Sequence, residues 1–273
     1  MELGAFTPFL WLLKVRDWIW DILEKETGAR MTHSFARIGG MAAAPTAGFK
    51  DDIRAILPEI RKVIGEAEAM LLKNRIFLDR TQGVGILTKE RAIELGCTGV
   101  MLRSTGVAYD VRKDNPYLVY DRFDFEVPVG EDGDNWDRFM CRFEEVRQSM
   151  RILEQGLDQM PDSGPVSVED PRIVLPPKDA VYSTIEATIA HFKLVMEGLK
   201  PPVGEVYSFT EAGNGELGFY IVSDGSGTPY RVRVRPPCWY NLQAAREMLV
   251  GDMIADIIPT FGSVNMIGGE CDR

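Results

Sequence analysis

EVYSFTEAGNGELGFYIVSDGSGTPYRVRV, residues 205–234, decides the fold class of this chain. Its apolar residues recur with period 2, whereas the rest of the chain follows a period near 3.6. The pattern predicts three antiparallel strands, Glu205–Thr210, Glu216–Ser223 and Tyr230–Val234. The loops GNG (213–215) and SDGSGTP (223–229) join them as hairpins. Arg231, Arg233 and Arg235 fall on one face, with Val232 and Val234 on the other. The expectation is a half-buried sheet with a basic stripe suited to an acidic partner.

Upstream, the signals are helical. Residues 5–27 predict a helix with Pro8 in its first turn. A narrow stripe of Lys14, Asp17, Asp21, Glu24 and Lys25 leaves most of its surface apolar, so it is buried on several sides or packs against a partner. Gly28 is its natural cap. A Gly/Ala/Pro loop, Gly39–Gly48, leads to a helix over Asp51–Lys73, kinked at Pro58. Val84–Leu87 reads as a short strand, and Thr88 caps a brief helix ended by Gly96.

Residues 97–132 are irregular, a pattern that marks functional or interface loops. Asp110, Arg112, Lys113 and Asp114 either pair with each other or bind a partner. Over Asp134–Met160, the residues Phe139, Phe143, Val146, Met150, Leu153, Leu157 and Met160 recur at steps of four and three. That is an a/d seam, expected here in a core helix of a bundle. After a proline-rich connection, Pro161–Pro177, a helix over Lys178–Gly198 carries His191 as a core or interface histidine. An apolar helix, about Gln243–Phe261, and the tail GSVNMIGGECDR close the chain. The order is helical core, small β-meander, closing helix: one α+β domain over residues 1–273, mainly helical.

Composition narrows the function. The 273 residues hold 31 basic and 41 acidic side chains, a formal net charge of −10. This opposes general nucleic-acid binding, which needs a basic surface. The four cysteines, Cys97, Cys141, Cys238 and Cys271, form no CxxC pair, and the two histidines cannot complete a zinc site of ordinary spacing. Scattered thiols fit a reducing compartment. The start Met1-Glu2-Leu3 lacks a basic region of secretory type, and the apolar run Phe9–Leu13 is too short to span a bilayer.

The densest chemistry lies in GARMTHSFARIGG, residues 28–40. It holds Arg30, Thr32, His33, Ser34 and Arg37 between bounding glycines. Alternation from Met31 to Arg37 predicts a short extended segment with two different faces. Read locally, it is a capped helix end followed by a surface strand.

Across its length the chain resembles the D-type subunit of the proton-pumping NADH–quinone oxidoreductase, respiratory complex I. The resemblance runs in order through GAFTPFLW (4–11), GARMTHSFARIGG (28–40), RSTGVAYDVRKDNPY (103–117), VYDRFDFEVPVGEDGD (119–134), EEVRQSMRILEQ (144–155), PPK (176–178), GELGFYIVSDGS (215–226), PYRVRVRPP (229–237) and the final GECDR. It implies a fold like that of nickel–iron hydrogenase large subunits. Those hold their metals with two CxxC pairs, and here Cys271 stands alone at the C-terminal position, so no metal is expected on this chain.

The resemblance implies a place at the end of an electron wire. A terminal [4Fe–4S] cluster sits on the neighbouring B-type iron–sulfur subunit, and quinone enters a chamber between the two. NAD binds another subunit. A C-type subunit and the membrane subunit of the quinone channel complete the surroundings, on the cytoplasmic face of the bacterial inner membrane. Arg30, Thr32, His33 and Arg37 are implied to face the cluster. Phe9, Ile267, Gly269 and Arg273 are implied to line the quinone chamber.

Glu2 matches an acid that, in the family, pairs with a quinone-binding histidine; an ordinary helix-terminal acid is the other reading. That histidine and a tyrosine belong to a part upstream of the TPF helix and are not in this sequence. The chain alone is therefore expected not to reduce quinone. Many family members carry a histidine where Thr32 stands, bonded to the cluster. In an extended segment His33, one place on, points to the opposite face. Two further readings remain: a non-catalytic scaffold that only docks the cluster subunit, and a hydrogenase-like large subunit, which the missing C-terminal CxxC disfavours.

Overall fold

The computed structural model describes residues 3–272. Helix α1 spans Phe6–Thr27, with Pro8 buried in its first turn. It ends where Gly28 turns left-handed (φ 79°) and its N–H reaches back to the Glu24 carbonyl. A two-residue hairpin follows, β1 (Ala36–Arg37) with β2 (Gly40–Met41). Gly39 and Gly40 therefore make the hairpin and do not begin the expected open loop. Gly40 has no room for a side chain: a Cβ there would lie 2.2 Å from the Val166 carbonyl oxygen. The proline-rich connection docks on this hairpin through Met41 N–H to Val166 O and Val168 N–H to Gly39 O.

Helix α2 (Phe49–Leu71) runs through Pro58 and starts with Asp51 and Asp52, which suit the positive end of the helix dipole. Short helices follow: α3 (Arg75–Asp79), α4 (Lys89–Glu94, capped by Thr88), α5 (Val100–Arg103) and α6 (Val111–Asp114). Val84–Leu87 is not a strand. With left-handed Gly83 before it and left-handed Gly85 inside it, it bonds through Leu87 N–H to Gly133 O and Val84 O to Asn135 N–H. These residues meet their backbone partners in a loop rather than a ladder.

Helix α7 covers Asn135–Gln159, its end held by the Asp134 carboxylate accepting from Asp137 N–H. Its seam packs into the main core. Phe143 and Met150 are buried with Val15 of α1 and with Leu57, Ile60, Val63, Ile64 and Ala67 of α2. The a/d repeat is thus a bundle core. Lys25–Asp52 and Arg147–Glu68 ion pairs fasten the surfaces of the three long helices.

The expected helix 178–198 is two, α8 (Lys178–Ser183) and α9 (Ile185–Met196), broken at extended Thr184. No residue of α9 is buried; Phe192 and Val195 are over half exposed, and His191 is only partly covered.

The meander forms as expected: β3 (Gly204–Ala212), β4 (Gly215–Ser223) and β5 (Arg231–Arg235), antiparallel in that order. It is not half-buried along its length. The end near Asn214 and Gly215 packs into the body, whereas Val206, Val232 and Val234 at the other end are exposed. Arg235 leaves the basic stripe. It donates to Glu216 O and Gly96 O and lies over Tyr240, tying the sheet to the body.

The expected closing helix is three short ones: α10 (Pro237–Gln243), α11 (Ala245–Leu249) and α12 (Ile257–Val264), with the break at Val250 and Gly251 (φ 106°). A final turn, α13 (Gly268–Cys271), follows. Leu87, Met101, Leu102, Ala244, Met248 and Val264 close a second, smaller core.

Candidate functional site

The head of α1 meets the ends of α2, α3 and α12 and the first turns of α7 around a cleft of ≈ 330 Å³. Apolar walls come from Pro8, Phe9, Leu12, Leu71, Phe77 and Phe139. Polar groups at the wall are Thr81, Asn135, Arg142, Ser263 and Asn265. Its size and mixture suit a small, largely apolar ligand.

A buried charge cluster lies near enough to the wall for its Arg103 and Glu145 to act on the charge of Arg142. Arg103 donates to Glu145 (2.9 Å), to Glu211 (2.9 Å) and to the Tyr109 carbonyl (2.9 Å). Asp110 lies 3.7 Å from Arg103 and takes two bonds from the Arg112 guanidinium. So within the charged run Asp110 pairs with Arg112 and its N–H reaches Asp114, whereas Lys113 lies over Phe125. Burial alone would lift Asp110, but Arg112 and Arg103 outweigh it and hold it below its ordinary value. Glu211 goes the other way: its burial outweighs Arg103 and raises it.

Two arginines of α7 belong to this region: Arg142 lines the cleft, and Arg138 bonds to its wall residues Asn135 and Ser263. Arg138 is fully buried and spends its donors on Gly133 O, Gly85 O, Asn135 and Ser263. Burial lowers it to about 10. Arg142, one turn on, is also lowered by burial, opposed by Glu145. Neither arginine stands out in the sequence. The available signal is spacing: Arg138, Arg142 and Glu145 stand at i, i+4 and i+7, one charged face on a helix whose other face is the apolar seam.

Of the residues expected to line the chamber, one lines this cleft. Phe9 is part of the cleft wall. Ile267 and Gly269 follow Asn265 of the wall and are exposed. Their segment is held by Cys238 N–H to Glu270 and by Ile267 N–H to the Cys238 sulfur. Glu2 and Arg273 lie outside the described residues.

The residues expected to face the cluster lie elsewhere. Arg30, Thr32, His33 and Arg37 are all exposed. They sit past the far end of α1, and the helix from Phe9 to Thr27 alone is roughly 27 Å long at 1.5 Å per residue. Arg30 turns back onto Glu24 (2.7 Å) and Asp21 (3.3 Å). Arg37 makes no ion pair among the described residues and donates to Ser34 O. The expected extended alternation fails at Thr32, which is left-handed (φ 53°). A bend there, not a pleat, sets where Thr32 and His33 point. Beside the hairpin, Ile38 borders an open trough of ≈ 1010 Å³ against Ile173 and Ile189.

Among the described residues, no group of three or more His, Cys, Asp or Glu is placed to hold a metal ion. No described helix is long and apolar enough to cross a membrane.

A family model described as the respiratory-chain NADH dehydrogenase 49 Kd subunit matches residues 2–273. The chain belongs to this family. Over all 273 residues it is 65% identical to a D-type NADH-quinone oxidoreductase subunit of Sorangium cellulosum, covering 68% of that protein. It is 52% identical to the corresponding NADH-quinone oxidoreductase subunit of Myxococcus xanthus, covering 66% of it. The corresponding protein of Pelobacter propionicus is 50% identical, with 68% covered. The chain spans about two thirds of the length of these curated relatives. Its architecture is mainly helical α+β.

Proposed function

We propose that this chain is the quinone-module subunit of a proton-translocating NADH–quinone oxidoreductase. Together with the B-type iron–sulfur subunit it forms the chamber in which the partner's terminal [4Fe–4S] cluster reduces quinone. The match to the 49 Kd subunit family over residues 2–273 carries this reading.

Two features of the molecule support it. The cleft at the head of α1 offers apolar walls and a guanidinium to a quinone headgroup. Large apolar side chains are exposed at both ends of α1: Phe6 and Leu10 at the head, Met31 and Ile38 beyond the tail. Single exposed apolar residues are ordinary, but clusters of this kind fit subunit interfaces. In this reading Phe9, Ile267, Gly269 and Arg273 border quinone, and Glu2 acts with the quinone-binding histidine that the resemblance implies. Arg30, Thr32, His33 and Arg37 face the cluster subunit. Arg37 contributes the positive field there, because the Arg30 charge is offset by Glu24 and Asp21. The C-type subunit and the membrane subunit of the quinone channel are the further neighbours, and the chain is peripheral to the membrane.

The test is co-purification. A tagged copy expressed in its native host brings down an iron–sulfur subunit, and the isolated assembly oxidises NADH with quinone as acceptor. A tagged copy that stays alone, or an assembly without quinone-dependent NADH oxidation, refutes the proposal.

A further inference from the structure

Four of the five polar side chains at the cleft wall are committed to the protein. Thr81 donates to Phe77 O. Asn135 donates to Thr260 and accepts from Arg138. Ser263 donates to Thr260 O, and Asn265 donates to Asn214. The fifth, Arg142, makes one hydrogen bond among the described residues, from Nη1 to Arg138 O at 3.2 Å. A guanidinium has five N–H donors in a fixed fork, so most of its capacity is unspent.

No carboxylate of the described residues comes within ion-pair distance of Arg142. The nearest acid along α7, Glu145, is taken by Arg103 at 2.6 Å. Leaving a partly desolvated guanidinium without acceptors costs free energy, which a ligand accepting those donors would recover. Burial and the nearby Arg103 charge both weigh against the Arg142 cation, and only Glu145 and Cys141 oppose them.

We infer that Arg142 is the positioning residue that seats an acceptor oxygen of the ligand in this cleft. The ligand is an apolar, ring-sized molecule bearing a carbonyl or phenolate oxygen. The walls supply the apolar part: Phe9, Phe77 and Phe139 present rings, and Pro8, Leu12 and Leu71 aliphatic surface. A multiply charged ligand such as a phosphate is disfavoured, since Arg142 is the one cation on the wall among the described residues. A neutral carbonyl or a single oxyanion matches one guanidinium in apolar surroundings. This deepens the proposed function, on which it rests for the choice of a quinone as that molecule. Arg142 fixes where the ring's oxygen sits, and the apolar walls hold the rest.

The experiment uses the assembled oxidoreductase carrying R142M or R142K, with ubiquinone-1 as probe. NADH oxidation by hexaammineruthenium, an acceptor that does not enter the cleft, reports intact assembly. The expected result for R142M is a KM for ubiquinone-1 raised at least tenfold with kcat within about twofold, and unchanged hexaammineruthenium activity. R142K recovers part of the loss, since it restores the charge without the fork. A KM within twofold of wild type in R142M overturns the inference. So does a parallel loss of both activities in R142M with full recovery of KM by R142K, which marks a purely structural cation. If R142M does not assemble, R142K carries the test: a KM raised about threefold or more supports the inference, and an unchanged KM overturns it. Equilibrium dialysis of ubiquinone-1 separates this inference from the function on which it rests. Wild-type complex that binds the quinone without reducing it refutes the function, whereas the Arg142 inference then stands or falls on whether R142M weakens binding tenfold.

Discussion

Arg103 donates to Glu211 at 2.9 Å across 108 positions of the chain, and both side chains are at most 5% exposed. The bond ties α5, in the second core, to β3 of the meander. Glu145 brings α7 to the same guanidinium. One buried cation thus joins three parts of the fold that share no sequence neighbourhood.

Removing that cation leaves Asp110, Glu145 and Glu211 facing each other in a poorly solvated site. Arg103→Leu is expected to destabilise the protein by about 3–5 kcal/mol, the usual cost of orphaning a buried charge. Glu211→Gln keeps an acceptor for Arg103 and costs less. Urea denaturation of the two variants checks the order; equal or reversed losses contradict it.

Alkaline pH acts through the thiols. Burial pushes Cys97 and Cys141 from an ordinary 9.0 up to about 11. The folded state therefore prefers the neutral thiol. Its contribution is fully present below pH 9 and is lost as pH rises from 9 through 11. At 1.36 kcal/mol per unit, each thiol contributes roughly 2–3 kcal/mol at most. Stability measured from about pH 8 to 10.5 is expected to fall, and the fall should be shallower in the Cys97→Ala, Cys141→Ala double variant. Identical slopes would exclude the thiols as its cause.

Gly40 has a φ of 149°, and its Cα faces the Val166 carbonyl. Gly40→Ala is expected to separate the β1–β2 hairpin from the 161–177 connection, at a cost of about 1–3 kcal/mol. Limited proteolysis reads this directly as faster cleavage within residues 161–177. A digestion pattern like that of the unaltered protein counts against the contact.

In the proposed assembly Thr32 faces the cluster, at a position where the family resemblance implies a titrating group. A hydroxyl does not titrate in the physiological range. The terminal cluster of the assembled complex is expected to hold a potential that changes little between about pH 6 and 8. A slope near ~59 mV per pH unit, one proton per electron, would sink this. His33 would then be the group to replace, since the bend at Thr32 removes the strict alternation that set the two side chains on opposite faces.

Much of this molecule was legible in the residues. The period-2 run at 205–234, the glycine after α1 and the seam of α7 each state their structure locally. Strand alternation, a left-handed cap and a four–three apolar repeat are properties of adjacent residues. The family was legible too, because its segments recur in order along the whole chain. Thr184, Gly251 and Val84–Leu87 were different. Their neighbours carry helical or strand periodicity, and the backbone departs from it: Thr184 is extended, Gly251 is left-handed, and Val84 and Leu87 bond to Asn135 and Gly133, far off in the sequence.

The sequence by itself determined the long helices and the meander, the α+β class and the family, since these rest on short-range periodicity and on the order of segments. The tertiary structure alone decided how charges are spent. It gave Arg235 to the sheet and Arg138 to the loop carbonyls, and it drew Arg103 into a ring of acids. It left Arg142 with one bond at the edge of an apolar cleft. A charged side chain's partners depend on which distant elements desolvate it. That is a property of packing and cannot be read from a residue and its neighbours in the chain.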